Sequence, residues 1–381
     1  MQPVTIAPAE ARRRHVALGD YVSCSLAFID CKKPGSHLKL NYSVIGAGVT
    51  QSADQVVNIQ EPHGFSLGIA AMPPGITNNL HIHYTAEVFM VHEGEWTFRW
   101  GDNGTDGDIP GGAGDIVSVP TWIFRGFKNI GQNDGWIFTA LGGDDTGGII
   151  WHPEIVKEAG TFGLYLTKDN MMVDTTTGAK KPADKDLMPL ISDADRAKLR
   201  KYTEAEMRNR IVAAKDRQWS KQALLCTVLP NHGVELAPAI GYGMSEDRDM
   251  APKITNPHGF SIEWIKLPPG QTLARHRIAS KQAMMVFKGN VELALNDSAN
   301  RVTVALASKE TYSVPAGAWR ALTNHGRIDV EIAVVTATDG KKPIEWAPDV
   351  LRAARAAGYA LDHNGYVAPL HLLPRSAQLS D

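Results

Sequence analysis

Gly75-Ile76-Thr77-Asn78-Asn79-Leu80-His81-Ile82-His83-Tyr84-Thr85-Ala86-Glu87 decides the reading of this chain. On a β-strand, residues i and i+2 point to one face, so His81 and His83 present two imidazoles to the same side. Glu87 follows His83 at an even offset and shares that side if the strand runs on unbroken. Two imidazoles and a carboxylate converging on one point suit a divalent transition metal. A turn signal, Pro73-Pro74-Gly75, precedes them, and a β-prone run, Val88-Phe89-Met90-Val91, follows before Gly94.

Outward from that stretch, residues 40–150 read as short β-prone runs broken by Gly, Asp, Asn and Pro, the pattern of a sandwich or barrel. The Gly- and Asp-rich loop 101–114 lacks the regular ligand spacing of a calcium loop and reads as a hairpin turn. Residues 151–220 break the β pattern. Ser192 and Thr203 read as helix starts, the second with a capping box closed by Glu206, and a helix is expected to run on toward Gln218. Residues 7–16 read as a short helix, 21–29 as a strand, and 348–357 as a helix.

The β pattern then repeats. Glu61-Pro62-His63-Gly64-Phe65-Ser66 is matched by Asn256-Pro257-His258-Gly259-Phe260-Ser261, and Pro73-Pro74-Gly75 by Pro268-Pro269-Gly270. Pro120, Arg125 and Asn129 are matched by Pro315, Arg320 and Asn324. The offset, as from His63 to His258, is 195 residues each time. A constant offset over so long a stretch marks a duplicated domain. The expected organisation is an N-terminal arm (1–40), a first domain with the candidate site (41–150), a partly helical linker (151–224), a second domain with a degenerate site (225–340), and a C-terminal helix and tail (341–381).

These motifs resemble the cupin superfamily, in particular its two-domain bicupins. Gly75, His81, His83, Glu87 and Gly94 fit the family's first motif, G-x5-H-x-H-x3-E-x6-G, at every position. Gly114, Pro120 and Asn129 fit the second, with Trp122 where the pattern has its second glycine and Arg125 where it has histidine. The resemblance implies a mainly β fold of two tandem double-stranded β-helix (jelly-roll) barrels with the metal ligands inside. It also implies one divalent metal in the first barrel, Fe(II) in the leading reading and Mn(II) or Ni(II) in others. An arginine beside a cation leaves two readings open. In one, the metal sits on His81, His83 and Glu87, and Arg125 clamps a substrate carboxylate with its planar fork. In the other, the metal is lost and Arg125 pairs with Glu87. In the second half the equivalents are His276, Ile278, Gln282 and Arg320, which do not make a metal site. Arg275, Arg277 and Arg320 either bind an acidic ligand or are surface and edge residues.

Trp96, Phe98 and Trp100 alternate along one strand and form either an aromatic wall or core packing. Trp122 and Phe124 flank Arg125 and are candidates for the pocket mouth. His63, His258 and His92 read as structural, and Tyr84 as pointing away from the ligands. The leading functional expectation is a dioxygenase acting on a small aromatic or enolic acid, with gentisate- and quercetin-cleaving bicupins as family precedent. Non-oxidative Lewis-acid chemistry (lyase, isomerase or decarboxylase) and a metal-free binding or storage protein are the alternatives.

Composition sets outer limits. The 381 residues carry a formal net charge of -2, so no general attraction to nucleic acid or anionic membrane is expected. Three scattered cysteines suit a reducing compartment. No apolar run approaches membrane-spanning length and no secretory h-region follows Arg12-Arg13-Arg14, so a cytoplasmic location is expected. Small-molecule acidic substrates and a homo-oligomer, the latter by family resemblance, complete the expectations. No serine-hydrolase, P-loop or dinucleotide motif stands in convincing context.

Overall fold

The computed structural model describes residues 4–374; the outermost residues of the expected arm and tail lie outside this range. It divides the chain into two units, Tyr21–Asp216 and the pair Met1–Asp20 plus Arg217–Asp381. Each unit is a jelly roll of two sheets, as the repeat predicts, with antiparallel strand pairs except for the parallel edge pair Leu40–Ile45 and Val57–Ile59.

In the unit Tyr21–Asp216, one sheet runs in the order Ile149–Trp151, Thr77–His83, Arg125–Asn129, Trp96–Trp100, Gly107–Gly111. The other runs Ile211–Val212, Ile116–Val119, Glu87–Glu93, Gly135–Gly142, Phe65–Met72, Leu40–Ile45, Val57–Ile59. Inward residues of both sheets meet in one core, with the Phe89 ring 5.0 Å from Phe98 and 4.8 Å from Phe127. Burial of each such ring stabilises by about 1.5–3 kcal/mol. The hairpin expected in 101–114 is present, with Trp96–Trp100 paired to Gly107–Gly111.

The other unit repeats this plan with strands Thr311–Val314, Gln282–Lys288, Val330–Ala337, Phe260–Leu267 and Glu235–Ile240 in one sheet. Its partner sheet holds Val302–Leu306, Val291–Leu295, Arg320–Thr323, Thr272–Arg277 and Glu345–Trp346. The duplication extends to single hydrogen bonds. Asn129 Nδ2 donates to Met72 O and Asn324 Nδ2 to Leu267 O, each at 2.8 Å. Asp144 accepts from the His63 and Gly64 amides, as Asp339 does from His258 and Gly259. The two histidines are therefore turn residues.

Two local expectations are corrected. Residues 21–29 form no strand, only an isolated bridge from Cys24 to Asn41. The capping box at Thr203 and Glu206 is present, but its helix, Glu204–Arg208, is only 5 residues long. The β-branched pair Ile211–Val212 then pairs with Val117 and Ile116 and ends it. The N-terminal arm has a counterpart ahead of the second repeat. Its strand His15–Val16 lies on Thr311–Val314 as Ile211–Val212 lies on Ile116–Val119. Arg14 O accepts from Ser313 N and Arg210 O from Ser118 N, both at 2.9 Å. The leading segment of each repeat is thus built into the unit formed by the other repeat. Among the described residues no helix is long and apolar enough to cross a membrane.

The second unit also buries two carboxyls away from any partner cation at bonding distance. Glu246 accepts from Trp346 Nε1 at 2.9 Å and Leu225 N at 2.6 Å, faces Lys341 more distantly, and is pushed up by burial to about 8. Glu263 is pushed up to about 7, also by burial. Such groups bind a proton in the folded state that the unfolded chain releases above its ordinary carboxyl pKa. Stability of this unit is therefore full in mild acid and falls between about pH 4.5 and 8, by about 1.4 kcal/mol per pH unit for each carboxyl still protonated. Glu246→Gln flattens that slope in chemical denaturation at pH 5 and pH 8. The first unit already has an amide at the equivalent place, where Gln51 Oε1 accepts from Ile29 N and Trp151 Nε1.

Candidate metal centre

His81 and His83 lie on Thr77–His83 as expected, but Glu87 does not continue that strand. Residues 84–86 turn, and Glu87 opens the strand Glu87–Glu93 in the facing sheet. The carboxylate therefore approaches the imidazoles from the opposite wall of the barrel. His81 Nε2 and His83 Nε2 are 3.0 Å apart, and His83 Nε2 is 3.3 Å from Glu87 Oε1. One ligand atom from each residue lies within 4.8 Å of the others, and all three side chains are buried.

This donor set fits a divalent metal. Two ligands each about 2.1 Å from an ion and at right angles to it lie about 3 Å apart. His81 Nδ1–H donates to Asn79 O at 2.7 Å, which leaves its Nε2 lone pair aimed into the cluster. Burial, with His83 and Arg125 adding to it, holds His81 well below the usual imidazole range; His83 is lowered by burial and then Arg125. Both rings are thus neutral, as metal ligands must be. Burial alone would raise Glu87, but His83 and Arg125 together hold it below the ordinary carboxylate range.

Arg125 pairs with His81 across the strands and donates Nε to Glu87 Oε2 at 3.0 Å. NH1 reaches the carbonyls of His81 and Ile123. The ion pair occupies one carboxylate oxygen and leaves Oε1 to the imidazoles, so the pair and the ligand set coexist. The expected clamp position is not seen: Arg125 does not line the cavity in front of the ligands, because Glu87 and the strand carbonyls hold it in the wall.

That cavity has a volume of about 80 Å³. His81, His83 and Glu87 line it, and Phe28, Ile69, Phe89, Phe127, Leu141 and Trp151 are its large apolar side chains. Trp96 and Phe98, candidate wall residues from the sequence, do not line it. They pack into the core on the far side of Phe89 and Phe127, with Trp96 Nε1 bound to Glu93 O. Trp122 lies outside too, half exposed and edge-on to Tyr84 at 5.5 Å. Its φ of 58° is a left-handed conformation costing a bulky residue about 1–2 kcal/mol. The equivalent in the second unit is Gly317, at φ 77°.

Sequence reasoning passed over three further residues at this site. Asn78 is three positions before His81, and simple alternation turns it away. A β-bulge intervenes: Arg125 pairs with His81 but Phe127 with Asn78. Asn78 therefore lines the cavity beside the ligands. Its Oδ1 accepts from Lys39 Nζ at 2.5 Å, and Lys39 pairs with Asp30 at 2.6 Å. Position-by-position comparison of the repeats is the signal that finds them.

In the second unit, Arg320 NH2 donates to Gln282 Oε1 at 2.6 Å, and His276 Nδ1 is held by Ala274 O. One imidazole, one amide and Ile278 offer no metal site. Glu263 stands where the first unit has cavity-lining Gly68, and Trp264 where it has Ile69, so larger side chains occupy those places. Arg275 and Arg277 pair with Asp349 and Glu345 beside Trp319.

Residues 68–139 match the model of the cupin domain family. The first unit therefore carries a cupin domain, and the second repeats its fold. Among solved structures the chain is similar to the oxalate decarboxylase of Lactobacillus farciminis in its formate complex, at 12% identity and TM-score 0.54 over 89% of each chain. It is similar to the 7S globulin of Momordica charantia, at 11% identity and TM-score 0.52 over 88% of this chain and 86% of that one. The vicilin of hazelnut, Corylus avellana, matches at 11% identity and TM-score 0.53 over 88% of each. These likenesses are of fold. No curated protein sequence matches this chain.

Proposed function

We propose that the first barrel is the catalytic half of a metal-dependent dioxygenase acting on a small aromatic or enolic carboxylic acid. Fe(II) is the leading metal, with Mn(II) and Ni(II) as alternatives. The observation that carries this reading is the buried set of His81, His83 and Glu87 lining an apolar cavity. A divalent metal held there supplies electron transfer to dioxygen and a Lewis-acid centre for the substrate's oxygens.

The chain's own residues do the rest. His81 and His83 stay neutral, and Glu87 contributes the single negative charge. Arg125 keeps that carboxylate ionised and turned toward the imidazoles. The phenylalanines and Trp151 screen the site from bulk solvent. At roughly 10–15 Å³ per water, the cavity admits a handful of waters or a ligand of similar size. The choice of oxygen chemistry over proton transfer rests on the lining. Besides the three ligands its only titratable side chain is Tyr42, and burial keeps that phenol protonated by raising its pKa. A lyase or isomerase needs a positioned acid or base to move protons.

The test is oxygen uptake by protein reconstituted anaerobically with Fe(II) and offered a panel of small enolic and aromatic acids. Uptake in proportion to substrate consumed is expected. Substrate loss without oxygen uptake assigns non-oxidative Lewis-acid chemistry instead. Failure to retain one metal per chain leaves the metal-free binder.

A further inference from the structure

We propose that Asn78 recognises the ligand of the first barrel, donating its amide NH2 to an oxygen of a small carboxylate, and that Lys39 and Asp30 are positioning residues behind it. This rests on the metal-site reading above. Asn78 is 94% buried, from an exposure of 6%, and lines the cavity that His81, His83 and Glu87 also line. Lysine has donors only, so the oxygen of the amide must face Lys39 Nζ. The NH2 is then the end left to the cavity, and no protein group among the described residues accepts from it. The ammonium also lies 5.2 Å from the Phe28 ring and 5.8 Å from Trp151, two further wall residues. A positive charge thus stands one residue behind the wall and polarises the amide that ligand meets.

The duplicated barrel shows that the fold does not need this arrangement. The bonds Ile29 N to Gln51 and Leu225 N to Glu246 align Asp30 with Cys226. The paired strands Leu40–Ile45 and Glu235–Ile240 align Lys39 with Val234, and the shared bulge aligns Asn78 with Leu273. Cysteine, valine and leucine fill the three places in a close-packed core. A buried ion pair costs desolvation that apolar residues avoid. It occurs only in the barrel that also carries the ligand triad and the cavity. Asp30 completes the support by accepting from Asn79 Nδ2 at 2.9 Å, which ties the bulge to the pair.

The test uses full-length protein, Co(II) and acetate. Co(II) uptake is followed first by its visible absorption, and acetate is then titrated against the same signal. Wild type is expected to take one Co(II) per chain and to bind acetate saturably. Asn78→Asp keeps an oxygen for Lys39 but replaces the donor; it retains Co(II) and loses acetate affinity by about ten-fold or more. Asn78→Leu, the side chain of the second barrel, moves the same way. The double variant Asp30→Asn/Lys39→Met removes both buried charges together, and weakens acetate while Co(II) affinity stays. Acetate binding by Asn78→Asp equal to wild type overturns the proposal, as does Co(II)-loaded wild type with no acetate response. Wild type that takes up no Co(II) overturns the metal reading itself, and is seen before acetate is added.

Discussion

His81→Ala is expected to abolish metal binding by the first barrel. Wild type purified without chelator is expected to carry one divalent ion per chain by mass spectrometry, and the variant none. Loss of an outer-shell partner alone weakens metal sites by about 10–100-fold, so loss of one of only three ligands costs more than about a hundred-fold in a chelator competition. The fold is expected to survive. His81 faces a cavity from a strand paired on both sides, and its neighbours Arg125 and Trp151 keep that pairing. His276→Ala is the internal control. His276 has the same backbone partner pattern, Nδ1 to Ala274 O, yet faces Arg320 and Gln282 instead of a ligand set. It should leave metal content untouched. One equivalent of metal on His81→Ala would remove the site from these residues altogether.

The candidate ligands His81 and His83 were legible in the sequence because two-residue alternation is a local property. So was the duplication, because a constant offset survives divergence of everything between the matched residues. Glu87 was legible in identity but not in route: the parity argument placed it on the same strand, whereas a turn carries it to the facing sheet. Asn78 was hidden by the opposite failure, since a bulge set by the pairing of Phe127 reverses its parity. Trp96 and Phe98 alternate as a wall would, but alternation cannot say which of two apolar spaces, core or cavity, a face meets. The exchange of leading segments between repeats was beyond reach for a different reason. Two-residue edge strands such as His15–Val16 and Ile211–Val212 carry no periodic signal, and their partners lie far off along the chain.

The two barrels also separate what the fold requires from what the site requires. Arg125 and Arg320 are both buried and both reach the side chain at the motif's acidic position, Glu87 in one barrel and Gln282 in the other. Burial lowers Arg320 to about 9 beside a neutral amide. The arginine is therefore a common structural element of the repeats, not a device added to one of them. What differs is the charge it meets. In the first barrel it compensates Glu87, and in the second it has only the more distant Glu263 as counter-charge.

That difference makes Arg125→Met the variant with the largest expected effect on stability. Methionine replaces the stem and removes the guanidinium, leaving Glu87 buried against two imidazoles. Breaking a buried pair from one side costs about 3–5 kcal/mol, because the remaining charge is uncompensated. The metal-free first unit should lose that much in chemical denaturation. A bound divalent cation supplies the missing positive charge, so the loss should shrink when wild type and variant are both saturated with Co(II). The thermodynamic coupling follows from binding to the folded state alone. If Arg125 instead acted only by packing, the loss would be the same with and without metal. Arg320→Met provides the contrast: Gln282 carries no charge to strand, so its loss should be smaller and indifferent to Co(II). Equal metal-independent losses in both variants would show that Arg125 is part of the barrel's frame and not a support for Glu87 as a ligand.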